Sequence, residues 1–237
     1  MENNNIVISV KNLTKDYGNG MGIFDVSFDV KQGEVLGFLG SNGSGKTTTI
    51  RHIMGFNKSD SGNTFVTNMN SFTCRAEILK NVGYLPGEIA LPENLTGNQF
   101  IKMMADLRGD INMNYVEELK KVFMLNTDGK LKRMSLGNKR KLAVITAFVH
   151  DPKILILDEP TSGLDPIAQN TFIEFVKQQK QRGKTILLSS HMFAEVEKLC
   201  DRICIIKNGK IIANVNMDDV KIQKNKTYKI EFFDKQS

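Results

Sequence analysis

No apolar run in this 237-residue chain approaches the roughly 20 residues that a membrane-spanning helix requires, so the sequence predicts no integral membrane segment. The opening stretch, MENNNIVISV, lacks the basic and apolar regions of a secretory signal peptide. Cysteine is scarce. Cys74, Cys200 and Cys204 have neither metal-ligand spacing nor a disulfide pattern, and they read as reduced thiols of a cytosolic protein. A further absence is local. KLKRMSLGNKRK, Lys130 to Lys141, carries Lys130, Lys132, Arg133, Lys139, Arg140 and Lys141 with no acid among them.

What is present suits a folded domain. A hydrophobic fraction of 41% fills a core, and a charged fraction of 24% is ordinary for a globular chain. The net charge of +6, from 32 basic and 26 acidic residues, is compatible with nucleic acid, a membrane surface or a phosphorylated ligand, and equally with simple solvation.

Hydrophobic periodicity divides the chain. IFDVSFDV alternates Phe24, Val26, Phe28 and Val30 with Asp25, Ser27 and Asp29, which predicts a half-exposed antiparallel strand. EVLGFLG is apolar on both faces, as a buried parallel strand is. From Thr96 the period becomes helical. Thr96 with Gln99 forms a capping box, followed by a stripe of Phe100, Met103, Met104 and Leu107. Tyr115, Leu119, Val122 and Phe123 form a second stripe, and Leu142, Ile145, Phe148 and Val149 a third. KILIL and KTILLSS then read as buried strands. Between them runs a helix with Ala168, Phe172, Phe175 and Val176 inward. MFAEVEKLCDRI reads as a helix aligning Met192, Val196, Leu199 and Ile203, and Asn208-Gly209 announces a hairpin. Alternating strands and helices imply a mainly parallel sheet covered on both sides. TYKIEFF, near the C-terminus, reads as a strand that either pairs back or begins something beyond a cut; the cut is favoured.

Two motifs carry chemistry. Gly40-Ser41-Asn42-Gly43-Ser44-Gly45-Lys46-Thr47 fits G-x-x-x-x-G-K-[ST] and sits between a predicted strand and a predicted helix. Its glycines let backbone N–H groups turn toward phosphate oxygens, and the helix start adds partial positive charge. Lys46 reaches the β- and γ-phosphates, and the Thr47 hydroxyl holds Mg²⁺. ILILDEP places Asp158 and Glu159 at the C-terminal end of a buried strand, the edge where α/β sheets bind ligands. Asp158 would serve the Mg²⁺ shell and Glu159 would polarise a water.

SLGNKRKLAVITAF before ILILDEP, SGLD after it, and His191 at the end of KTILLSS complete an order that resembles the nucleotide-binding subunits of ATP-binding cassette (ABC) transporters. The resemblance spans about residues 6 to 215. It implies a P-loop NTPase core of mainly parallel sheet, with an antiparallel β subdomain and an inserted helical subdomain. The core would comprise 1–86 and 151–220 and the helical part 87–150, with a C-terminal extension over 221–237. The resemblance implies that Tyr17 stacks on adenine and that Ser41, Asn42, Gly43, Ser44, Gly45, Lys46, Thr47 and Thr48 surround the phosphates. Ser135 and Gly137 would cap the ATP of a second subunit, Asp165 would hold the opposite phosphate loop, and His191 would touch the γ-phosphate. Leu136 and Asn138 depart from the common S-G-G-Q signature. The basic residues around it read as a rim to this anion site, partly solvated. His52 and His150 receive no role.

The family places a glutamine after a strand like VGYLP, contacting Mg²⁺ and the attacking water where membrane subunits dock. Here Gly87 and Glu88 stand instead, and Glu88 is the candidate to supply that metal contact, with water as the alternative. The expected protein is an ATPase using ATP and Mg²⁺, paired with a second copy or a homologous cassette and with a separate transmembrane permease, and not with nucleic acid. It would sit peripherally at the cytoplasmic face of the membrane. YLPGE with SLGNKRK resembles exporters of the drug and peptide-antibiotic type. The rivals are a two-cassette translation factor, a DNA-repair ATPase with a long coiled coil, and a regulatory or non-transport ABC-type protein. The single cassette, the short insertion and the presence of Lys46, Glu159 and His191 argue against them.

Overall fold

The computed structural model describes residues 5–109 and 111–224. The chain begins with two antiparallel strands, β1 (Ile6–Asp16) and β2 (Gly22–Lys31), followed by β3 (Val35–Leu39) and helix α1 (Lys46–Ile53). Next come β4 (Ser61–Val66), β5 (Met69–Asn70), α2 (Arg75–Asn81) and β6 (Val82–Leu85). Three helices follow: α3 (Gly97–Asp106), α4 (Met113–Val122) and α5 (Leu136–Phe148). The remainder runs β7 (Ile154–Asp158), α6 (Pro166–Gln181), β8 (Thr185–Ser190), α7 (Phe193–Leu199), β9 (Arg202–Lys207), β10 (Lys210–Asn216) and α8 (Met217–Lys224). TYKIEFF lies outside the described residues.

The strands form two sheets. One is antiparallel, in the order β2-β1-β4-β5; the other is six-stranded, in the order β10-β9-β3-β8-β7-β6, parallel except for β10. β3 is central, as its two apolar faces predict. Alternation along the inner strands splits the interior in two. Leu36, Phe38, Ile154, Ile156 and Leu187 face the antiparallel sheet and α1, and pack with Val26, Val30, Ile50 and Ile53. Val35, Leu155, Leu157, Ile186 and Leu188 face the other way, toward Phe148, Phe172, Phe175 and Val196. Phe175 joins the helical segment to this second core, with edge-on ring contacts to Phe123 at 5.3 Å and Phe148 at 4.9 Å between centroids.

Several elements differ in detail from the periodic reading. The alternation of β2 breaks at Asp25, whose φ is 55°, so Ile23 and not Phe24 joins Val26, Phe28 and Val30 in the core. Register shifts on both sides of the Leu13–Val26 pair mark the bulges responsible. α3 starts at the expected capping box, but its buried face is Phe100, Ile101 and Ala105, leaving Met103 and Leu107 exposed. Val122 is likewise exposed on α4, where Val116 is buried with Leu119. α7 ends at Leu199, and Ile203 belongs to β9. The hairpin turn is as expected: Asn208 and Gly209 have φ of 48° and 72°.

Candidate active site

β3 delivers the chain to the phosphate-loop segment. It lies between β8 and β9 and ends at Leu39, where the backbone turns through Gly40–Gly45 into α1. The turn requires glycine at two positions for different reasons. Gly43 has φ of 78° with nothing within 4 Å of where a Cβ would stand, so its face is open. Gly45, at φ of 109°, caps α1, and a Cβ there would lie 2.6 Å from Ile23 Cγ2. The β9–β10 turn braces the loop from behind, with Gly209 N–H donating to Ser44 O at 2.9 Å.

Two hydrogen-bonded groups meet at this loop. In the first, Thr47 Oγ1 donates to Asp158 Oδ2 at 2.8 Å, and Ser189 Oγ donates to the other carboxylate oxygen. Asp158 is 0% exposed, so this charge is held by hydroxyls alone among its hydrogen-bond partners in the described residues. In the second, Glu159 receives two side chains, the ammonium of Lys46 and the imidazole of His191. Lys46 Nζ is 3.1 Å from Oε1, and His191 Nδ1 is 2.7 Å from Oε2. Lys46 Nζ also donates to Gly40 O at 2.7 Å and Ser41 O at 3.1 Å. Glu159 has φ of 48°, a left-handed backbone that a non-glycine residue adopts at a cost of order 1–3 kcal/mol. Its N–H donates to Ser189 Oγ at 3.0 Å, so one serine sets both neighbouring acids.

The cavities around these groups are adjacent. One of about 410 Å³ is lined by Tyr17, Asn42, Gly43, Gly45, Lys46, Thr47, Thr48 and Glu159. Tyr17 stands exposed at its wall. The other, of about 690 Å³, shares Asn42, Thr47 and Glu159 and adds Gly87, Glu88, Ser162 and His191. Glu88 thus shares a cavity with Thr47, and its side chain is exposed. Gly87 does not adopt positive φ; its constraint is contact, since a Cβ would stand 3.0 Å from Asp158 Oδ2. Ser135 and Asp165 line neither cavity. Both cap helices. Ser135 Oγ accepts from Asn138 N–H at 3.3 Å, and Asp165 Oδ1 accepts from Ala168 N–H at 2.9 Å, which with nearby Lys141 holds the Asp165 carboxyl below its usual range.

The donor set fits a hard cation. A hydroxyl and a buried carboxylate in contact are the oxygen ligands Mg²⁺ takes, usually only one or two per protein site. No group of three or more His, Cys, Asp or Glu side chains suited to a metal occurs among the described residues, so an all-protein cage is not what this site offers.

Three supporting residues escape the sequence reading. Ser189 leaves a signal that the reading passes over: paired serines interrupt an apolar strand just before His191. Glu195 has no such signal. It is buried under the site and accepts from Ser190 Oγ at 2.6 Å; burial pushes its carboxyl up, against the Ser190 and Thr161 hydroxyls. Arg140 lies in the acid-free run that reads as a solvated rim, yet it is buried, with its guanidinium on three backbone carbonyls.

Comparison with known proteins accords with this geometry. A family profile described as ABC transporter matches residues 23–162. The chain is 36% identical over 226 residues to an uncharacterised ABC transporter ATP-binding protein, YhcH, of Bacillus subtilis (strain 168), covering 94% of this chain and 74% of that protein. It is 36% identical over 229 residues to the bacitracin transport ATP-binding protein BcrA of Bacillus licheniformis, covering 95% of this chain and 74% of that one. Among solved structures, one described as an ATP binding subunit of an ABC transporter superposes with a TM-score of 0.83 at 31% identity, covering 92% of this chain and 93% of its own.

Proposed function

Since the chain belongs to the ABC transporter family as one of its ATP-binding ATPase subunits, we propose that it hydrolyses ATP in a site shared between two cassettes and thereby drives a separate membrane permease, of the exporter type. The observation that carries this reading is the convergence of Lys46 and His191 on Glu159, beside the Thr47–Asp158 pair and at the mouth of the glycine loop. The bacitracin relative supports the exporter type. No helix among the described residues is long and apolar enough to cross a membrane. In this reading the partner supplies the transport path and this subunit is peripheral on the cytoplasmic face.

Each residue has a task that its position allows. Tyr17 offers a face to the adenine. The loop N–H groups, the start of α1 and Lys46 hold phosphate oxygens. Thr47 and Asp158 would hold Mg²⁺, which when bound would supply neutralisation of charge on the transferred phosphoryl group. Glu159 takes the proton of the attacking water. His191, hydrogen-bonded to Glu159, steadies it and reaches the terminal phosphate. Ser135, Gly137 and Asp165, away from both cavities, serve the nucleotide and loop of the second copy. The helix start at Ser135 suits an anion.

The deciding experiment is Glu159→Gln. The amide keeps the shape and loses the base, so kcat should fall by about 10²–10⁴-fold while ATP binding persists. ATP with Mg²⁺ should then accumulate a dimer on a sizing column. A variant that binds ATP normally yet elutes as a monomer at high concentration refutes the shared site. Glu88 is the side chain with a hard oxygen nearest to position 87, and we assign it the metal contact that a glutamine there would make. Glu88→Ala should raise the Mg²⁺ concentration for half-maximal rate; an unchanged Mg²⁺ curve leaves water in that role. Gly87→Gln, the second variant, puts a Cβ 3.0 Å from Asp158 Oδ2, so its rate reads whether that carboxylate can shift by the few tenths of an ångström the contact demands.

A further inference from the structure

We propose that Arg140 is a positioning residue of the ATPase reaction, fixing the loop after β6 against the Asp158–Glu159 edge and tying it to the helix that starts at Ser135. The inference rests on the ATPase reading above and deepens it.

Arg140 stands on the second turn of α5 and is 4% exposed. Its Nη1 donates to Pro86 O at 2.8 Å, its Nη2 to Gly87 O at 2.7 Å and its Nε to Ser162 O at 2.9 Å. The three acceptors come from two loops that follow strand ends. One leaves β6 next to the metal-binding carboxylate. The other is the turn closed by Ser162 N–H on Glu159 O at 3.1 Å. Pro86, Gly87 and Ser162 all line the 690 Å³ cavity that Glu159 and His191 also line. One planar cation therefore sets the spacing of two of its walls.

The chemistry calls for arginine. A guanidinium presents five N–H donors in a rigid fork, so it can satisfy three divergent carbonyls at once and fix their relative positions. A lysine ammonium sits on a flexible stem and imposes no such plane. Burial lowers the guanidinium pKa, while the negative charges of Asp158 and Glu159 favour its charged form. The cation is thus held by the acids whose surroundings it arranges.

Gly87 gives the arrangement a mechanical consequence. With its would-be Cβ 3.0 Å from Asp158 Oδ2, the loop backbone lies directly on the carboxylate that Thr47 contacts. Displacing this loop displaces what borders Asp158. Because the same side chain belongs to α5, displacement is shared with the helix that Ser135 caps. The link runs through backbone carbonyls, so it does not depend on any side chain at position 87.

The test is steady-state ATPase kinetics on the intact protein for wild type, Arg140→Met and Arg140→Lys, at a temperature below the lowest measured Tm. Arg140→Met should lower kcat by about 10- to 100-fold, the scale of a misplacement of about 1 Å, with KM for ATP near the wild-type value and a raised Mg²⁺ requirement. Arg140→Lys, which keeps the charge but not the fork, should be intermediate in kcat. A merely structural arginine would lower Tm and leave kcat of the folded protein intact, and that result overturns the proposal. So does wild-type kcat in Arg140→Lys, which would make charge alone sufficient. If Arg140→Met does not fold, Arg140→Lys decides by the same criterion. A wild-type protein that turns over no ATP overturns the ATPase reading itself, whereas wild-type turnover matched by Arg140→Met overturns only the role of Arg140.

Discussion

Lys46 and His191 hold opposite oxygens of one carboxylate, at 3.1 and 2.7 Å. Glu159 is only 18% exposed, so these contacts are less screened by solvent than a surface pair. Lys46→Ala removes the cation nearest the glycine loop. It should weaken ATP binding by about 10- to 100-fold, the loss expected for one charge-assisted hydrogen bond, measurable by equilibrium titration. Near-native affinity would remove Lys46 from the phosphate site. Residues at this scale were legible where a short segment carries its own chemistry. Gly40–Thr47 and Asp158–Glu159 are local motifs, and each needs only the strand before it. Arg140 was not legible, because α5 is buried from Leu142 to Phe148 on all sides and no exposed face marks which positions point inward. Its partners, Pro86, Gly87 and Ser162, become neighbours only in the folded chain.

Helix starts were readable and helix rotations were not. Thr96 Oγ1 accepts from Gln99 N–H at 3.2 Å, and Gln99 Oε1 accepts from Thr96 N–H at 2.9 Å, a reciprocal pair that fixes where α3 begins. Thr96→Ala should cost about 1 kcal/mol, seen as a Tm lowered by about 2–4 °C with kcat unchanged. Which face of α3 turns inward depends on its neighbours. An apolar stripe containing Met103 and Leu107 satisfies the period, but the contact is made one position round, through Ile101 and Ala105. Strand β2 teaches the same lesson at its bulge, where a left-handed Asp25 flips Ile23 inward. His150, just after α5, supplies a pH prediction. Burial, then the charges of Arg108 and Lys184, push its imidazole down to about 4. The folded chain therefore keeps it neutral, while the unfolded chain takes up a proton below about pH 6.5. Its contribution is fully present above that pH and is lost as pH falls toward 4. His150→Gln should flatten the fall in Tm between about pH 6.5 and 4 relative to wild type. Parallel Tm curves for the two proteins over that range would contradict it.

At the scale of the molecule, one parallel sheet separates two apolar interiors, and the larger interior runs without a break from α3, α4 and α5 into β7, β8 and α6. That layered plan was legible, because runs apolar on both faces announce covered strands and their alternation with helices announces a parallel sheet. The continuity of the core was not, since it depends on rings such as Phe123, Phe148 and Phe175 meeting across distant segments. With Ser135 and Asp165 outside the two cavities, turnover should follow the dimer population. ATPase rate per subunit should rise with protein concentration, and a flat rate across a dilution series without dimer would exclude the shared site. Asp158 carries a last consequence. A fully buried carboxylate whose hydrogen-bond partners among the described residues are both hydroxyls is a burden on the folded chain, of the kind that a bound cation relieves. Nucleotide with Mg²⁺ then acts as a folding ligand. At about 100 times its Kd it should add about 2.7 kcal/mol and raise Tm by roughly 5–10 °C. Asp158→Asn should melt higher than wild type without ligand and show a smaller rise with Mg²⁺ and ATP; equal rises in both proteins would separate Asp158 from the cation. The same oxygen atoms thus couple how firmly the protein holds its shape to whether it is carrying fuel, which makes heat resistance a direct gauge of the supply of ATP.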